Sequence, residues 1–222
     1  MKFKAIVFDL DGTLLDTIGD ISNSANNILE RHGFPTHSFD KYRYFVGDGV
    51  PKLIERVLPG DGFSDKELRG YVREFLEEYD QHWKVLSRPY PGIPEMLDEM
   101  SRRDLKLAVL SNKPNDSTQM CVKEMLGNWS FDIVQGLSET IPPKPDPAGA
   151  LMIAGSLGVP PEQMVFLGDT AVDMKTSVAT GMFPVGALWG FRTEDELRSA
   201  GAKVLLNKPQ ELSAVVGSAD AD

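Results

Sequence analysis

The hydrophobic positions of the chain follow two different patterns in different stretches. Short unbroken apolar runs, typical of strands buried on both faces, begin at residues 5–8 and recur after residue 92, where they alternate with helical spacings. Between residues 16 and 86 the spacing is helical throughout. Strands that alternate with helices form parallel sheets with right-handed crossovers. The pattern therefore predicts an α/β fold, in which an all-helical domain interrupts a doubly wound, Rossmann-like parallel-sheet core after its first strand.

The junctions between the two patterns define the expected domains. Two prolines and a glycine mark a linker within residues 87–92. We expect a core domain formed by residues 1–15 and 87–222, and a helical domain formed by residues 16–86, which suits a chain of 222 residues. The later core strands are expected at residues 107–110, 131–135, 164–167, 183–188 and 203–206.

Composition and charge narrow the functional classes. The chain is 41% hydrophobic and 25% charged, as globular proteins usually are, and its net charge of −10 argues against nucleic acid or anionic membranes as partners. No stretch has the length of a membrane span, and we see no apolar run of the kind found in secretory signals. Cys121 is the single cysteine, which excludes an intrachain disulfide and is compatible with a reducing compartment. We predict a cytoplasmic protein and leave its oligomeric state open.

Two pairs of acidic residues follow expected strands. Asp9 and Asp11 come directly after the first strand, and Asp169 and Asp173 follow the strand expected at residues 164–167. Open α/β sheets place their chemistry at the carboxyl ends of their strands. Each pair taken alone also fits an acidic turn, because Asp favours turns for backbone reasons. If the two strands are neighbours, however, four carboxylates converge, and their repulsion predicts a hard divalent cation such as Mg²⁺ between them.

Three further polar residues occupy comparable places. Ser111 and Asn112 follow the strand expected at residues 107–110, and Lys144 precedes an expected helix. Each has an ordinary structural explanation, since Ser111 fits a helix cap or turn and Lys144 fits a solvated loop. Asp173 equally fits the N-cap of a helix. Their common context at strand ends and before helices favours a shared site over four separate explanations.

This order of residues resembles the haloacid dehalogenase superfamily, whose four motifs match over the whole chain. The matching positions are Asp9-Leu10-Asp11-Gly12-Thr13 for the first motif, Ser111 for the second, Lys144 for the third, and Gly168-Asp169 with Asp173 for the fourth. The resemblance implies a phosphatase with a doubly wound core and an inserted helical cap. It also implies Mg²⁺ as the cofactor and a small phosphorylated metabolite as the substrate.

The resemblance assigns catalytic roles to the first motif. Asp9 is expected to attack phosphorus and form an aspartyl phosphate, because a carboxylate is ionised at neutral pH and needs no activating base. Asp11 is expected to protonate the leaving alkoxide and then to act as the base towards water. Its presence favours phosphoryl transfer over dehalogenation, since cleavage of a carbon–halogen bond needs no leaving-group acid.

The resemblance also implies binding roles. Mg²⁺ is expected on the carboxylates of Asp9 and Asp169 and on the backbone carbonyl of Asp11. Lys144 is expected to act in catalysis as well as in binding, because it offsets the carboxylate repulsion. The other expected site residues are Ser111, Asn112 and Lys144 for phosphoryl oxygens, Gly12 and Thr13 for close approach of the backbone, and Asp173 for orientation of the ligands or of Lys144.

Two less specific stretches, residues 44–53 and 188–202, look most like phosphoglycolate phosphatases. They favour 2-phosphoglycolate as the substrate, with Gly47 and Lys52 of the cap as substrate-binding residues. An ordinary turn between two helices is the alternative explanation for the glycines near residue 47.

Other activities of the superfamily stay open at this point. The substrate of the phosphatase could instead be a sugar phosphate or pyrophosphate. A hexose-phosphate mutase is less favoured, because those enzymes carry a histidine at the position of Ile21. A phosphonate hydrolase is less favoured because Lys52 lies beyond the place of their reactive lysine. A regulator without turnover is disfavoured because every motif residue is intact.

Overall fold

The computed structural model describes residues 3–217, so the ends of the expected core, residues 1–2 and 218–222, lie outside the described residues. The described chain forms two compact units. One unit contains the first strand, ends at Leu15 and resumes at Pro89, and the other is Asp16–Arg88. The return to the first unit comes two residues after the boundary expected at residue 86, since residues 87 and 88 belong to the second unit.

The described strands form a parallel sheet and a short second sheet. They are β1 (Ala5–Phe8), β2 (Leu15–Asp16), β3 (Arg88–Pro89), β4 (Lys106–Pro114), β5 (Ile133–Leu137), β6 (Met164–Gly168), β7 (Phe183–Ala187) and β8 (Val204–Leu206). The larger sheet has six strands in the order β5-β4-β1-β6-β7-β8, and all of its neighbours are parallel. The strands β2 and β3 form the two-stranded sheet. The predicted α/β fold class is confirmed.

The strand β1 occupies the centre of the sheet, between β4 and β6. All four of its residues are fully buried, as expected for a strand with helices on both faces. In register, Ala5 lies opposite Met164 at the start of β6. The carboxyl ends of β1 and β6 therefore lie side by side, and Asp9 and Asp169 follow them directly.

Some of the helices flank the parallel sheet, and the others form the second unit. They are α1 (Ile18–Arg31), α2 (Phe39–Phe45), α3 (Val50–Val57), α4 (Asp65–His82), α5 (Ile93–Ser101), α6 (Asn115–Met125), α7 (Ala148–Leu157), α8 (Ala171–Thr180), α9 (Glu194–Ser199) and α10 (Leu212–Val216). On one face of the sheet, Ala150 and Ile153 of α7 join a buried apolar cluster with Val7 and Phe166. Among the described helices, none combines the length and the apolar character that would carry it through a membrane.

The unit Asp16–Arg88 contains the helices α1 to α4. A capping box starts α4, since the Ser64 hydroxyl accepts the backbone N–H of Glu67 and Glu67 Oε2 accepts the Ser64 N–H over 2.8 Å. Helices α1 and α4 pack against each other, and Asn27 Nδ2 of α1 donates to Glu78 Oε1 of α4 over 2.8 Å. Polar contacts as well as apolar faces therefore hold this unit together.

The strand β4 is longer than the hydrophobic pattern predicts. It was expected to end at residue 110, but it continues through the polar residues 111–113, which are only 4–8% exposed. Its pairing with β5 shifts register between Leu110 and Pro114, where Pro114 lies opposite Leu137. The structure thus buries, within β4, polar residues that the sequence pattern places after the strand. The strand β5 starts two residues later than expected, at residue 133 instead of 131.

Candidate active site

Asp9 lies at the carboxyl edge of the parallel sheet, directly after β1. Its backbone N–H donates to the carbonyl oxygen of Leu167 in β6 over 2.9 Å, which continues the parallel pairing by one residue. The Asp9 residue is 7% exposed, and its Oδ1 accepts a hydrogen bond of 2.8 Å from Lys144 Nζ. The structure therefore places Asp9 where open α/β sheets bind their ligands.

Lys144 is buried and joins two carboxylates. Its Nζ donates to Asp9 Oδ1 over 2.8 Å and to Asp173 Oδ1 over 2.6 Å, and the residue is 5% exposed. The backbone of Lys144 is held by Asn112, whose Oδ1 accepts the Lys144 N–H (2.8 Å) and whose Nδ2 donates to the Lys144 carbonyl (3.0 Å). The alternative in which Lys144 is a solvated loop residue is therefore wrong, and Asn112 fixes the place from which the lysine reaches the carboxylates.

Asp173 lies in the first turn of α8, whose N-cap is Thr170, so the N-cap that the sequence offers at Asp173 is wrong. Its Oδ2 accepts the Thr170 N–H over 3.0 Å and the Thr170 hydroxyl over 2.7 Å, which forms a capping box at the start of α8. Its Oδ1 accepts the hydrogen bond from Lys144 Nζ, and the residue is fully buried. The helix cap thus fixes the carboxylate in the orientation in which it meets the lysine.

Asp169 is fully buried and is held through both oxygens. The Thr13 hydroxyl donates to Oδ1 over 2.9 Å, and the Phe191 backbone N–H donates to Oδ2 over 2.8 Å. Gly12 adopts a φ of +93°, and a Cβ at this position would overlap the Asp169 carboxylate. Gly12 and Thr13 therefore shape the surroundings of Asp169, whereas their predicted contact with a phosphoryl group stays a prediction.

Burial and like charge shift the pKa values of this cluster. Burial raises the pKa of Asp9 well above its usual range, and Asp173 raises it further, while Lys144 opposes both. Burial and Asp173 also raise the pKa of Asp169 to about 7, against the hydrogen bonds that its oxygens accept. Burial acts to lower the pKa of Lys144, but the carboxylates of Asp173 and Asp9 outweigh it and raise that pKa. One ammonium group therefore leaves these buried carboxylates short of positive charge.

The same carboxylates form a donor set that fits a divalent cation. One oxygen from each of Asp9, Asp169 and Asp173 lies within 4.8 Å of the other two. Carboxylate oxygens are the hard ligands that Mg²⁺ and Ca²⁺ prefer. The Asp11 carboxylate is not a member of this group, so three of the four acidic residues gather as the sequence suggests. Ligation through the Asp11 backbone carbonyl stays a prediction.

The Asp11 carboxylate instead pairs with Lys113, a residue that the sequence reasoning missed. Lys113 Nζ lies 3.2 Å from Asp11 Oδ2, and the two side chains are 6% and 14% exposed. The Lys113 N–H also donates to Ser111 Oγ over 3.1 Å. The available signal was the place of Lys113 directly after Ser111 and Asn112. Because β4 extends to Pro114, Lys113 reaches the edge of the sheet at which β1 ends, and its ammonium group pairs with the Asp11 carboxylate.

Gly47 and Lys52 belong to the helical unit. Gly47 has a φ of +122°, a conformation that favours glycine, just before α3. Lys52 lies in the first turn of α3, where its Nζ is 2.5 Å from Glu55 Oε2 and its side chain is 57% exposed. Their expected contact with a substrate stays a prediction.

A family match covers the residues of this site. Residues 6–187 match the family model of the haloacid dehalogenase-like hydrolases, and this span includes all four motifs. The chain therefore belongs to the haloacid dehalogenase-like hydrolases. The resemblance that the motifs indicate is confirmed.

Individual relatives narrow the comparison to phosphatases. The chain is 32% identical over 209 residues to a phosphoglycolate phosphatase of Aquifex aeolicus, with 94% of each chain covered. It is 30% identical over 223 residues to an N-acetylmuramic acid 6-phosphate phosphatase of Pseudomonas aeruginosa, with 100% of this chain and 98% of the relative covered. The predicted likeness to phosphoglycolate phosphatases is confirmed, and so is the prediction of a hydrolase.

Solved structures agree with the sequence relatives. A crystal structure of a protein from Lactobacillus delbrueckii subsp. bulgaricus has a TM-score of 0.91 and 29% identity, with 97% of this chain and 99% of that chain covered. A predicted phosphoglycolate phosphatase from Haemophilus somnus has a TM-score of 0.90 and 25% identity, with 98% and 99% covered. The likeness thus extends over nearly the whole of both chains.

Proposed function

We propose that the protein is a Mg²⁺-dependent phosphatase that hydrolyses a small phosphate monoester through a phosphoryl group carried on Asp9. The observation that carries this proposal is the buried cluster at the carboxyl edge of the sheet, in which Lys144 joins Asp9 to Asp173 and Asp169 lies close by. A bound cation would be held by Asp9, Asp169 and the carbonyl of Asp11, and would shield the charge between an anionic nucleophile and an anionic substrate.

The chain's own residues account for the two chemical steps. An Asp9 carboxylate oxygen attacks phosphorus, the bond from phosphorus to the ester oxygen breaks, and Asp11 supplies the proton that the leaving alkoxide takes up. Asp11 then accepts a proton from a water molecule that attacks the phosphoryl group, which releases inorganic phosphate and restores Asp9. Lys144 keeps the Asp9 carboxylate in place. In this proposal Ser111 meets phosphoryl oxygens, whereas the side chain of Asn112 holds the backbone of Lys144.

The test of this mechanism separates the nucleophile from the cation. Wild-type protein that is acid-quenched during turnover of a ³²P-labelled substrate should retain label, whereas the variant Asp9→Asn should retain none. Removal of metal by chelation should abolish phosphate release, and added Mg²⁺ should restore it. Full activity of a metal-stripped sample would contradict the proposed dependence on a divalent cation. Retention of label by Asp9→Asn would contradict the assignment of Asp9 as the nucleophile.

The first candidate substrate is 2-phosphoglycolate. The relatives that carry this activity in their names, together with the likeness of residues 44–53 and 188–202, support it. Its carboxylate beside the phosphate would suit Lys52 and the backbone near Gly47. In this proposal Lys52→Ala should raise KM for 2-phosphoglycolate, while Lys66→Ala, which removes another exposed charge, from α4, should leave it unchanged.

A sugar phosphate is the second candidate, because the relative that matches the entire chain acts on N-acetylmuramic acid 6-phosphate. The deciding measurement is kcat/KM for 2-phosphoglycolate, N-acetylmuramic acid 6-phosphate, a simple hexose phosphate and pyrophosphate under identical conditions. A preference for a sugar phosphate that Lys52→Ala does not change would reject 2-phosphoglycolate while leaving the phosphatase intact. Conversion of a hexose phosphate to its isomer, or release of phosphate from a phosphonate, would point to the other activities of the superfamily.

Two expectations that rest on composition remain predictions, namely a cytoplasmic location and the absence of nucleic acid or membranes as partners.

A further inference from the structure

The loop that follows β7 contacts the proposed cation ligand although it contributes no carboxylate. Phe191 N–H donates to Asp169 Oδ2 over 2.8 Å. A Cβ at Gly190 would overlap the Asp169 side chain and would lie 2.5 Å from the Gly12 carbonyl oxygen, so only glycine lets the backbone come this close. The backbone of the loop therefore packs directly against the Asp169 side chain, with no room for a side chain at position 190.

The same loop is tied to the first motif. Trp189 Nε1 donates to the carbonyl oxygen of Thr13 over 2.9 Å, and the Thr13 hydroxyl donates to Asp169 Oδ1 over 2.9 Å. At its start, the Leu188 N–H donates to the Leu206 carbonyl oxygen over 2.9 Å, which extends the pairing of β7 with β8. One loop thus connects the segment after β1, the carboxylate after β6 and the edge of the sheet.

We propose that the loop of Trp189, Gly190 and Phe191 positions Asp169 and thereby sets the affinity of the divalent-cation site. This inference rests on the proposed function, because it takes Asp169 as a ligand of the cation. Trp189 acts through Thr13, and Phe191 acts through its backbone N–H. Both are positioning residues, since neither side chain supplies a ligand or meets the substrate in this proposal.

The chemistry of a carboxylate explains why such positioning matters. An ionised carboxylate accepts about four hydrogen bonds or metal contacts through its two oxygens. Thr13 and Phe191 take one position on each oxygen, which fixes the plane of the Asp169 carboxylate while leaving further positions for a cation. Partners that orient metal ligands in this way typically contribute about 10- to 100-fold to metal affinity or activity.

The variant Trp189→Phe tests the inference, because it keeps an aromatic ring and removes the N–H donor to Thr13. Binding of Mn²⁺ to the full chain is followed by the EPR signal of the free ion, and Mg²⁺ affinity is obtained by competition. We expect the dissociation constants of both ions to rise about 10-fold. The matched control is Trp129→Phe, since Trp129 Nε1 also donates to a carboxylate, Asp98 Oδ1, over 2.8 Å, and this variant should bind both ions as wild type does.

Thermal unfolding of the metal-free proteins separates positioning from stability. Similar melting temperatures for the two variants, with weaker cation binding in Trp189→Phe alone, would support the inference. Wild-type affinity in Trp189→Phe would overturn it and leave the proposed function standing. No binding of Mn²⁺ or Mg²⁺ to the wild-type chain would overturn both.

A second variant gives a larger displacement at the same point. Gly190→Ala forces the loop away from Asp169, so the dissociation constant for Mn²⁺ should rise towards 100-fold. If Gly190→Ala does not fold, Trp189→Phe decides the question. A folded Gly190→Ala with wild-type cation affinity would contradict the inference.

Discussion

Glu78 of the helical unit and Asp169 of the core are both almost inaccessible to solvent, yet their pKa values shift in opposite directions. Burial acts to raise the pKa of Glu78, but hydrogen bonds from Asn27 and Arg31 and the nearby positive charge outweigh it and lower that pKa. Burial and the Asp173 carboxylate raise the pKa of Asp169 to about 7. The Glu78 carboxylate is therefore stabilised by hydrogen-bond donors and positive charge, whereas the Asp169 carboxylate is destabilised by burial and by a neighbouring carboxylate.

The comparison sets a structural charge against charges to which we assign a function in our proposal. Glu78 links α1 to α4 within the helical unit, where its partners satisfy the charge. Asp9 and Asp173 share a single lysine, Lys144, and Asp169 lies close to both carboxylates, which leaves their repulsion only partly offset. Bringing these like charges together lowers the free energy of unfolding. Perturbed pKa values of this kind cluster at functional sites. Four predictions test this contrast.

Removal of the proposed nucleophile should have the largest effect. Asp9→Asn replaces the carboxylate that we propose attacks phosphorus with an amide of the same shape, so kcat should fall by at least about 10³-fold. The fold should persist, because a neutral amide removes one of the crowded charges. Phosphate release and thermal unfolding measure the two outcomes.

The matched control is Asp132→Asn, which alters a partly exposed carboxylate of the same unit that pairs with Lys106. It should leave kcat unchanged. If Asp9→Asn retained more than a few per cent of wild-type kcat, the assignment of the nucleophile would be wrong.

Removal of the Lys144 ammonium group from the cluster should lower stability as well as activity. Lys144→Met keeps the length of the side chain but leaves Asp9 and Asp173 without their ammonium partner. Unpairing a buried charge costs about 3–5 kcal/mol, so the free energy of unfolding should fall by that amount without metal. Lys106→Met removes an exposed partner of Asp132 and should cost at most about 1 kcal/mol. Equal stabilities of the two variants in denaturant unfolding would show that the cluster does not depend on its lysine.

The structural carboxylate should show the reverse profile. Glu78→Gln loses the charge that Asn27 and Arg31 satisfy, and the free energy of unfolding should fall by about 1–3 kcal/mol. The kcat of the folded protein should not change. Glu77→Gln, at the exposed neighbouring position in α4, should leave both quantities as in wild type. A selective loss of kcat in Glu78→Gln would mean that Glu78 is not purely structural.

The smallest expected effect is a change in acid sensitivity. The pKa of Glu78 is lower in the folded protein than its ordinary value of 4.5, so its stabilising effect is fully present above that value. It is lost as the pH falls below 4.5 and through the lowered pKa of the folded state. The stability difference between wild type and Glu78→Gln should therefore narrow below this pH, as denaturant unfolding at several pH values would show. A difference that stays constant across this range would contradict the lowered pKa.

Sequence patterns predict much of the core because their signals are local. The run Ala5–Phe8 is apolar and is followed by Asp9, so both the strand and the acidic residue at its end are visible within a few residues. The strand β6 begins at residue 164, as the pattern predicts, and ends at residue 168, one residue later than predicted. The extension of β4 to Pro114 was missed, because residues 111–113 are polar and contact distant residues, as Asn112 does with Lys144 and Lys113 with Asp11.

The amino-acid sequence alone predicts the fold class, the strand ends that carry Asp9 and Asp169, and a site that contains Lys144 together with them. Those features depend on short patterns and on motifs with a recognisable order. The tertiary structure alone decided that Asp173 joins the central group while Asp11 pairs with Lys113, because that choice depends on which strands are neighbours and in what register. The contact of the loop after β7 with Asp169 is of the same kind, since Phe191 and Asp169 meet only when β6 and β7 lie side by side.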